Sequence, residues 1–310
     1  MGNYYSFNNY LKEKFGGRVH RLSIDGGFGC PNLDGTLSRK GCIFCNNKAF
    51  SYFSGNRRLS LEDQIVKSME YVKRRYKAEK FIVYFQSFTN TYASVNILKE
   101  KYSIVRKFNN IVGIAISTRP DCINVEKLEL INSFSSRYEI FIEYGLQTVN
   151  DKILEKINRS HTFSDFEKAV ELTTRYKNIH VAAHIILGLP GERKEDMLNT
   201  AKILSKMPLW GLKLHCLHVV KDTVLEEMYT KRQITLLGED EYIDILISFL
   251  ELIPSKWVIL RLVSDSSRDL LIAPMWLNEK HRVLRKIEEE FIRRGTYQGR
   301  LYEGVSCKSS

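Results

Sequence analysis

Short apolar runs alternate along this chain with stretches whose apolar positions recur at every third or fourth residue. VHRLSID (Val19 to Asp25), FIVYF (Phe81 to Phe85), IVGIAIS (Ile111 to Ser117) and EIFIEYGL (Glu139 to Leu146) read as strands. HVAAHIIL (His180 to Leu187) and GLKLHCLHVV (Gly211 to Val220) make six. Between them the spacing predicts helices. One opens at Ser60 and runs to about Tyr76, with Leu61, Ile65, Met69 and Val72 on one face and Glu62 and Asp63 at its positive end. Others cover Val95 to Phe108, Asn124 to Phe134, Asp151 to Ile157 and Glu195 to Ser205. Ser164 and Glu167 read as a capping box for the helix that follows Ile157. Beyond the sixth strand come a helix Glu239 to Ile253, a strand WVILRLV and a basic helix from about Asn278 to Arg294.

Strands apolar throughout and joined by amphipathic helices imply an α/β fold with a parallel sheet covered by helices. Pattern alone leaves a doubly wound sheet and a barrel both open. With no internal repeat or low-complexity linker, the 310 residues suit one continuous domain with a C-terminal extension.

Composition is that of an ordinary globular protein, 44% hydrophobic and 27% charged, which excludes disordered, collagenous and coiled-coil classes. Charge adds more: 47 Lys and Arg against 36 Asp and Glu leave +11, a balance that points to a polyanionic partner. MGNYYSFNNYLKEKFGGRVH holds no apolar run, so no signal peptide is expected, and no membrane span is expected elsewhere. Gly2 and Ser6 fit a loose acylation pattern too short to carry weight. A cytoplasmic setting follows, in which clustered thiols read as metal ligands or catalysts.

Of the six cysteines, Cys30, Cys42 and Cys45 fall within sixteen residues, whereas Cys122, Cys216 and Cys307 are scattered. Cys42 and Cys45 can converge from a tight turn, and the loop rich in Pro31, Asn32, Asp34, Gly35 and Gly41 can bring in Cys30. Three readings stay open. The thiols could be neighbours by chance; they could hold a structural zinc, which normally wants a fourth ligand such as His20; or they could hold a cubane iron–sulfur cluster and leave one iron open. The loop follows the first strand of a parallel series and so lies at the strand C-terminal face, where barrels keep their active sites. Phe44, between the paired cysteines, could pack on a bound adenine.

At this point the sequence resembles the radical S-adenosylmethionine (SAM) superfamily, and within it the YhcC/YtqA-type branch, whose core is related to the Elongator catalytic subunit. The similarity runs almost end to end, through FGGRVHRLSIDGGFGCPNLDGT, GCIFCNN, STRPDCI, IEYGLQTVND, INRSHT, LGLPGE, LKLHCLHVVKDT and RDLLIAPMW to the YQG at Gln298. The long spacing between Cys30 and Cys42 departs from the common C-x3-C-x2-C but matches this branch. The resemblance implies a partial (β/α)6 barrel over residues 1–225, with an N-terminal segment, and a C-terminal α/β extension over 226–310 packed on it. It further implies a 4Fe–4S cluster on Cys30, Cys42 and Cys45, with SAM chelating the open iron. One electron, from reduced flavodoxin or ferredoxin, would split SAM into methionine and a 5′-deoxyadenosyl radical.

Other SAM contacts carry over residue by residue. Gln86 and Ser87 stand, before Phe88 and Thr89, where the superfamily often has Gly-Gly-Glu or Gly-Gly-Thr. Thr118 and Arg119 end the third strand, the alternative for both being a turn set by Pro120 and Asp121. Gln147 and Arg159 match polar contact positions, and Arg159 could pair with the SAM carboxylate. Ser160 replaces the usual glycine, so the local turn is expected to differ. Glu143 suits a ribose contact or a buried ion pair, and His184 a ribose contact or a core hydrogen bond. Gly188, with Pro190 and Gly191, would let the backbone pass close to adenine. Alternation sends Lys213 and His215 to one face of the sixth strand as candidate substrate-side groups, and His218 to the other.

Basic residues gather at Arg57 and Arg58, from Lys73 to Lys77, and from Lys280 to Arg300. The relation to the Elongator subunit implies tRNA, and specifically remodelling of a wobble-uridine 5-substituent from carboxymethylaminomethyl toward aminomethyl. A missing second cysteine cluster argues against methylthiolation, and the chain ends about where that relative would begin an acetyltransferase domain. Two other readings compete: a radical SAM enzyme on a small metabolite, and a non-enzymatic zinc-containing RNA-binding protein.

Overall fold

The computed structural model describes residues 2–50, 53 and 59–304; Arg57, Arg58 and Cys307 lie outside the described residues. Helix α1 (Phe7–Phe15) precedes β1 (Val19–Ile24), and the cysteine loop leads to the one-turn α2 (Asn47–Phe50). The chain then alternates through α3 (Leu61–Tyr76), β2 (Lys80–Phe85), α4 (Val95–Tyr102), β3 (Ile111–Thr118), α5 (Val125–Asn132) and β4 (Glu139–Gln147). Next come α6 (Asp151–Lys156), α7 (Phe163–Thr174), β5 (Ile179–Leu187), α8 (Lys194–Leu204), β6 (Gly211–Cys216), β7 (Val219–Val220) and α9 (Val224–Thr230). Helix α10 (Glu239–Glu251), β8 (Val258–Arg261), β9 (Leu271–Ala273) and α11 (Lys280–Arg294) follow.

Seven strands form one wholly parallel sheet in the order β1-β2-β3-β4-β5-β6-β8. Each new strand is added beside the last with no reversal, which removes the doubly wound alternative and leaves a curled half-barrel. The seventh strand, β8, comes from the C-terminal part of the chain and completes the sheet beside β6. Gly211 makes this pairing possible, because a Cβ there would collide with the Val258 carbonyl.

The two faces of the sheet have different jobs. On the outer face Leu22, Val83, Ile116 and Ile142 pack against the helical layer, including Ile65, Met69 and Val72 of α3. On the inner face Val19, Ile82, Ala115, Phe141 and Val258 pack against Phe7 and Leu11 of α1. Phe7 meets Phe141 edge-on at 5.5 Å and Tyr10 meets Trp210 at 4.9 Å, so α1 plugs the inside of the half-barrel at the N-terminal ends of the strands. The opposite, C-terminal end is left for the site. Gln298 ties the chain ends together: its amide donates to the Pro254 and Trp257 carbonyls and accepts from the Tyr5 N–H.

Local expectations need four corrections. The capping box belongs to Thr162 and Asp165, not Ser164 and Glu167, because α7 begins one residue after Thr162; both reciprocal bonds form, at 3.2 and 2.8 Å. The segment Val95 to Phe108 is α4 followed by a tighter 3-10 turn over Ser103–Lys107. The sixth strand stops at Cys216, and β7 instead pairs antiparallel with β9. Helices α1 and α9 went unanticipated, although Ser6 and Gly16 bound the first and Thr223 caps the second.

Candidate active site

The cysteine loop is built by turns. The Cys30 carbonyl accepts from the N–H groups of Leu33 and Asp34, and the Cys45 N–H donates to the Cys42 carbonyl at 3.0 Å. Asn32 is wholly buried at the centre of the loop. Its amide donates to the Asn158 carbonyl at 2.6 Å and lies 3.5 Å from the Cys42 sulfur, while its oxygen accepts from the Ser160 hydroxyl at 2.7 Å. Backbone bonds from Ile43 to Ile157, and from Leu225 to Ile43, stitch the loop to the barrel on one side and to α9 on the other. Ser160 sits at φ +56°, in left-handed backbone that favours glycine.

All three thiols open on one cleft at the C-terminal ends of the strands, with ≈ 1200 Å³ of empty volume counted out to its mouth. Burial pushes the Cys45 thiol up to about 12, helped by the neighbouring Cys42 and Cys30. Phe44, Gln86, Ser87, Thr118, Arg119, Gln147, Arg159, His184, Lys213 and His215 line the same cleft. Two expected contacts do not. Glu143 is wholly buried beneath the cleft, and Gly188, at φ +87°, turns its open side toward Leu237. His20 stacks on Tyr76 at 4.4 Å near the start of β1, at the opposite end of the strand from the cysteine loop. His218 lines the cleft together with Lys213 and His215, because alternation ends where β6 ends.

Arginines hold the cleft's edge. Arg159 Nη1 lies 3.3 Å from the Cys42 sulfur, and its other nitrogens bond the Gly145 carbonyl and His161. A Cβ on Gly145 would fall 2.6 Å from Arg159 Nη2, so this approach needs glycine. Arg119 spends its fork on Asp121, at 2.9 and 2.8 Å, and on the Arg159 and Ser160 carbonyls. It therefore positions the Arg159 loop. Gln147 (φ +84°) and Phe88 (φ +63°) both line the cleft in left-handed backbone, the kind of local strain that clusters at functional sites. Thr118 bonds Thr91 at 2.6 Å.

Below the cleft lies a charged layer. Arg21 meets Glu143 at 2.7 Å, while His184, Tyr84 and Lys213 bond its other oxygen at 2.7, 2.9 and 3.1 Å. Burial would push the Glu143 carboxyl up, but Arg21, Lys213 and His184 hold it well below the usual carboxylate range. Burial pulls the Lys213 ammonium down to about 7 against the lift from Glu143, and His184 down to about 4. Arg21, Tyr84, Asn32, Asn47, Arg261 and Asp265 were not anticipated. Arg21 and Tyr84 could have been, since they share the inward parity of Glu143 and Lys213. Asn32 looks in sequence like any turn residue.

Among the described residues no three His, Cys, Asp or Glu side chains are disposed to hold a single metal ion. Zinc at 2.3 Å from each sulfur would draw its thiolates to about 3.8 Å of one another. Three thiols around one cleft, two of them beside arginine-rich walls, fit a larger thiolate-bound group with an open side.

The sequence profile of the Radical SAM superfamily matches residues 36–204, and that of the Radical SAM C-terminal domain matches 209–293. The chain belongs to the radical SAM superfamily. YtqA of Bacillus subtilis (strain 168) is 36% identical over 99% of this chain and 95% of its own. YhcC of Escherichia coli (strain K12) is 33% identical over 88% and 87%. The tRNA uridine(34) acetyltransferase of Dehalococcoides mccartyi is 33% identical over 40% of this chain and 27% of its own. Among solved structures, the archaeal Methanocaldococcus infernus Elp3 superposes with a TM-score of 0.64 over 90% of this chain and 64% of that one; at 18% identity the likeness is one of fold. The protein is thus a radical SAM enzyme, and its cofactors are those of the superfamily, a 4Fe–4S cluster and SAM. No helix among the described residues is long and apolar enough to cross a membrane.

Proposed function

We propose that Cys30, Cys42 and Cys45 hold the cluster and that the enzyme remodels the 5-substituent of a wobble uridine in tRNA, from carboxymethylaminomethyl toward aminomethyl. The main support is the single cleft that the three thiols share with the ends of β2 to β6. Relatives point the same way, since stretches of this chain match enzymes named for acting on tRNA uridine 34. Cluster and SAM together supply one-electron cleavage of SAM and abstraction of a hydrogen atom from substrate.

The protein's own groups do the rest. Arg159 donates toward the Cys42 sulfur and fixes that side of the loop. Phe44, Gln86, Ser87, Thr118, Gln147 and His184 line the space between the thiols and the β6 wall, where SAM would lie. Glu143 fixes Lys213 and His184 from below. Residues 1–225 supply the barrel, and 226–310 supply β8 with Arg261 and Asp265 on the cleft wall. Reduced flavodoxin or ferredoxin in the cytoplasm would deliver the electron.

Anaerobic reconstitution tests the cluster. Wild type is expected to take up four irons and form 5′-deoxyadenosine, and Cys42→Ala to lose both; a Cys42→Ala protein that still cleaves SAM would refute the ligand assignment. Nucleoside profiling of tRNA from cells with and without the gene tests the substrate. Loss of the gene should raise carboxymethylaminomethyl-uridine at the expense of its aminomethyl product, and an unchanged profile rules the substrate out. Binding of the tRNA should also weaken with salt, by roughly 0.7–0.9 in log affinity per log unit for each phosphate contacted.

A further inference from the structure

Lys213 and Arg261 line the cleft at β6 and β8, and the ion pairs they share with Arg21 of β1 and Lys280 of α11 hold more positive charge than their acids can answer. Lys213 and Arg21 share Glu143, while Arg261 and Lys280 share Asp265 at 3.4 and 2.7 Å. Four cations are thus served by two carboxylates. His215 stands among them with its ring 5.6 Å from that of His184, and among the described residues its imidazole makes no hydrogen bond. Burial first, and after it the charges of Arg261 and Lys213, hold His215 well below the ordinary histidine range. Neutral imidazole brings one N–H donor to this cluster of cations, and Arg261 brings an arginine fork.

We propose that His215, Lys213 and Arg261 form a carboxylate clamp that recognises the acidic end of the substrate's substituent. The inference rests on the wobble-uridine reading for the molecule that carries the carboxylate, but not for the clamp itself. A backbone phosphate is the other anion such chemistry could take. Depth favours the carboxylate: Lys213 is 3% exposed and lies on the charged floor, where a phosphate in a polymer backbone does not reach. The clamp also explains why Arg261 comes from the C-terminal extension. A substituent entering over β6 would be gripped from both sides, by β6 and by β8.

The test uses reconstituted holoenzyme with SAM, reductant and an anticodon stem-loop RNA carrying either the carboxymethylaminomethyl group or its methyl ester. Substrate-dependent 5′-deoxyadenosine is read as kcat and KM. Wild type should favour the acid over the ester at least about 10-fold in kcat/KM, mostly through KM, since a charge-assisted bond is worth roughly 1.5–3 kcal/mol. Arg261→Gln and His215→Gln should each cut that ratio several-fold, and Arg261→Lys should restore part of it. A wild-type ratio near one, which a phosphate contact would give, overturns the clamp; so does a ratio unmoved in both glutamine variants. The free nucleoside acid and ester separate this result from the wobble-uridine reading. RNA ignored while the nucleoside acid is preferred upholds the clamp and sinks tRNA; RNA turned over without regard to the ester does the reverse. Rejection of acid and ester in both forms overturns the clamp as well.

Discussion

The charged layer under the cleft makes a sharp prediction for Glu143→Gln. Glutamine keeps the shape and an acceptor for Tyr84, but it leaves Arg21 without a counter-charge and takes from Lys213, already pulled down to about 7, the carboxylate that lifts it. Removing one partner from a buried pair costs roughly 3–5 kcal/mol, because what remains is an uncompensated charge. With an unfolding entropy of about 2.1 cal/mol/K per residue, 310 residues give about 0.65 kcal/mol/K, so Tm should fall by about 5–8 °C. The pH dependence has a definite sign. Glu143 is held below the usual carboxylate range, so its contribution is fully present above the unfolded value of about 4.3 and is lost as pH falls through the folded one. The part of the gap that Glu143 itself carries should therefore be complete above about pH 4.3 and be lost in acid, while Lys213, near 7 in the wild type and lower without Glu143, adds a second change around neutral pH. Removing one orphaned cation should relieve the strain, so Glu143→Gln with Lys213→Met should be less destabilised than the two single changes added. Calorimetry on anaerobic holoenzymes matched for iron content is the assay. A Tm loss under about 2 °C, or strict additivity in the cycle, would refute the claim that Glu143 is the common counter-ion.

Three further outcomes follow from the same geometry. Arg159→Gln removes the donor 3.3 Å from the Cys42 sulfur and should weaken iron retention against a chelator by about 10-fold, the lower end of what outer ligands contribute; unchanged retention would detach Arg159 from the cluster. Thr162→Ala should cost about 1 kcal/mol through loss of the α7 cap, read by urea unfolding, while Ser164→Ala should stay within about 0.5 kcal/mol; the reverse order would restore the box at Ser164. Burial lifts the Glu192 carboxyl to about 7, so its folded form holds a proton that the unfolded chain releases at lower pH, and stability falls as pH rises from about 4.3 to 7. Glu192→Gln should then be more stable than wild type at pH 8 by about 1–3 kcal/mol, with the difference shrinking toward pH 5; a difference independent of pH would contradict the shift.

Much of this fold is written in periodicity. The apolar runs of β2 to β5 survive almost to the residue, because strands buried on both faces are apolar almost throughout and admit a polar residue such as Glu143 or His184 only where it finds partners. What periodicity cannot carry is closure. Helix α1 has local marks, the Ser6 cap and the Gly16 stop, but nothing local says that Phe7 and Tyr10 seal one end of the half-barrel. The site divides the same way. Cys30, Cys42 and Cys45 are legible because thiols at close spacing are rare, and Arg159 because it sits in a recognisable string. Asn32, Tyr84 and Arg21 act through partners far along the chain, Arg21 and Tyr84 on Glu143 and Asn32 on Asn158 and Ser160. Their chemistry exists only once the strands are paired. His218 failed for a related reason: alternation is a property of a strand, and the strand had already ended.

The inner face of the sheet explains why a costly charged layer lies where it does. Below it, α1 and the ring of Phe7, Phe141 and Trp210 exclude water; above it, the cleft admits ligands. Arg21 stacks over Phe7 at 4.2 Å and reaches up to Glu143, which in turn holds Lys213 and His184. Each group is anchored from the sealed side, so its remaining freedom points toward the cleft. An apolar layer would pack at least as stably, but it could not hold Lys213 at a fixed height beneath a substrate. Isolated buried charges are expensive; a counter-ion shared by four cationic or donor groups and shut off from water on one side keeps a positive field aimed at the other. That field reaches the cleft on the wall opposite the thiols' own loop, so the radical source and the proposed grip on the substrate are supplied by different strands of one sheet.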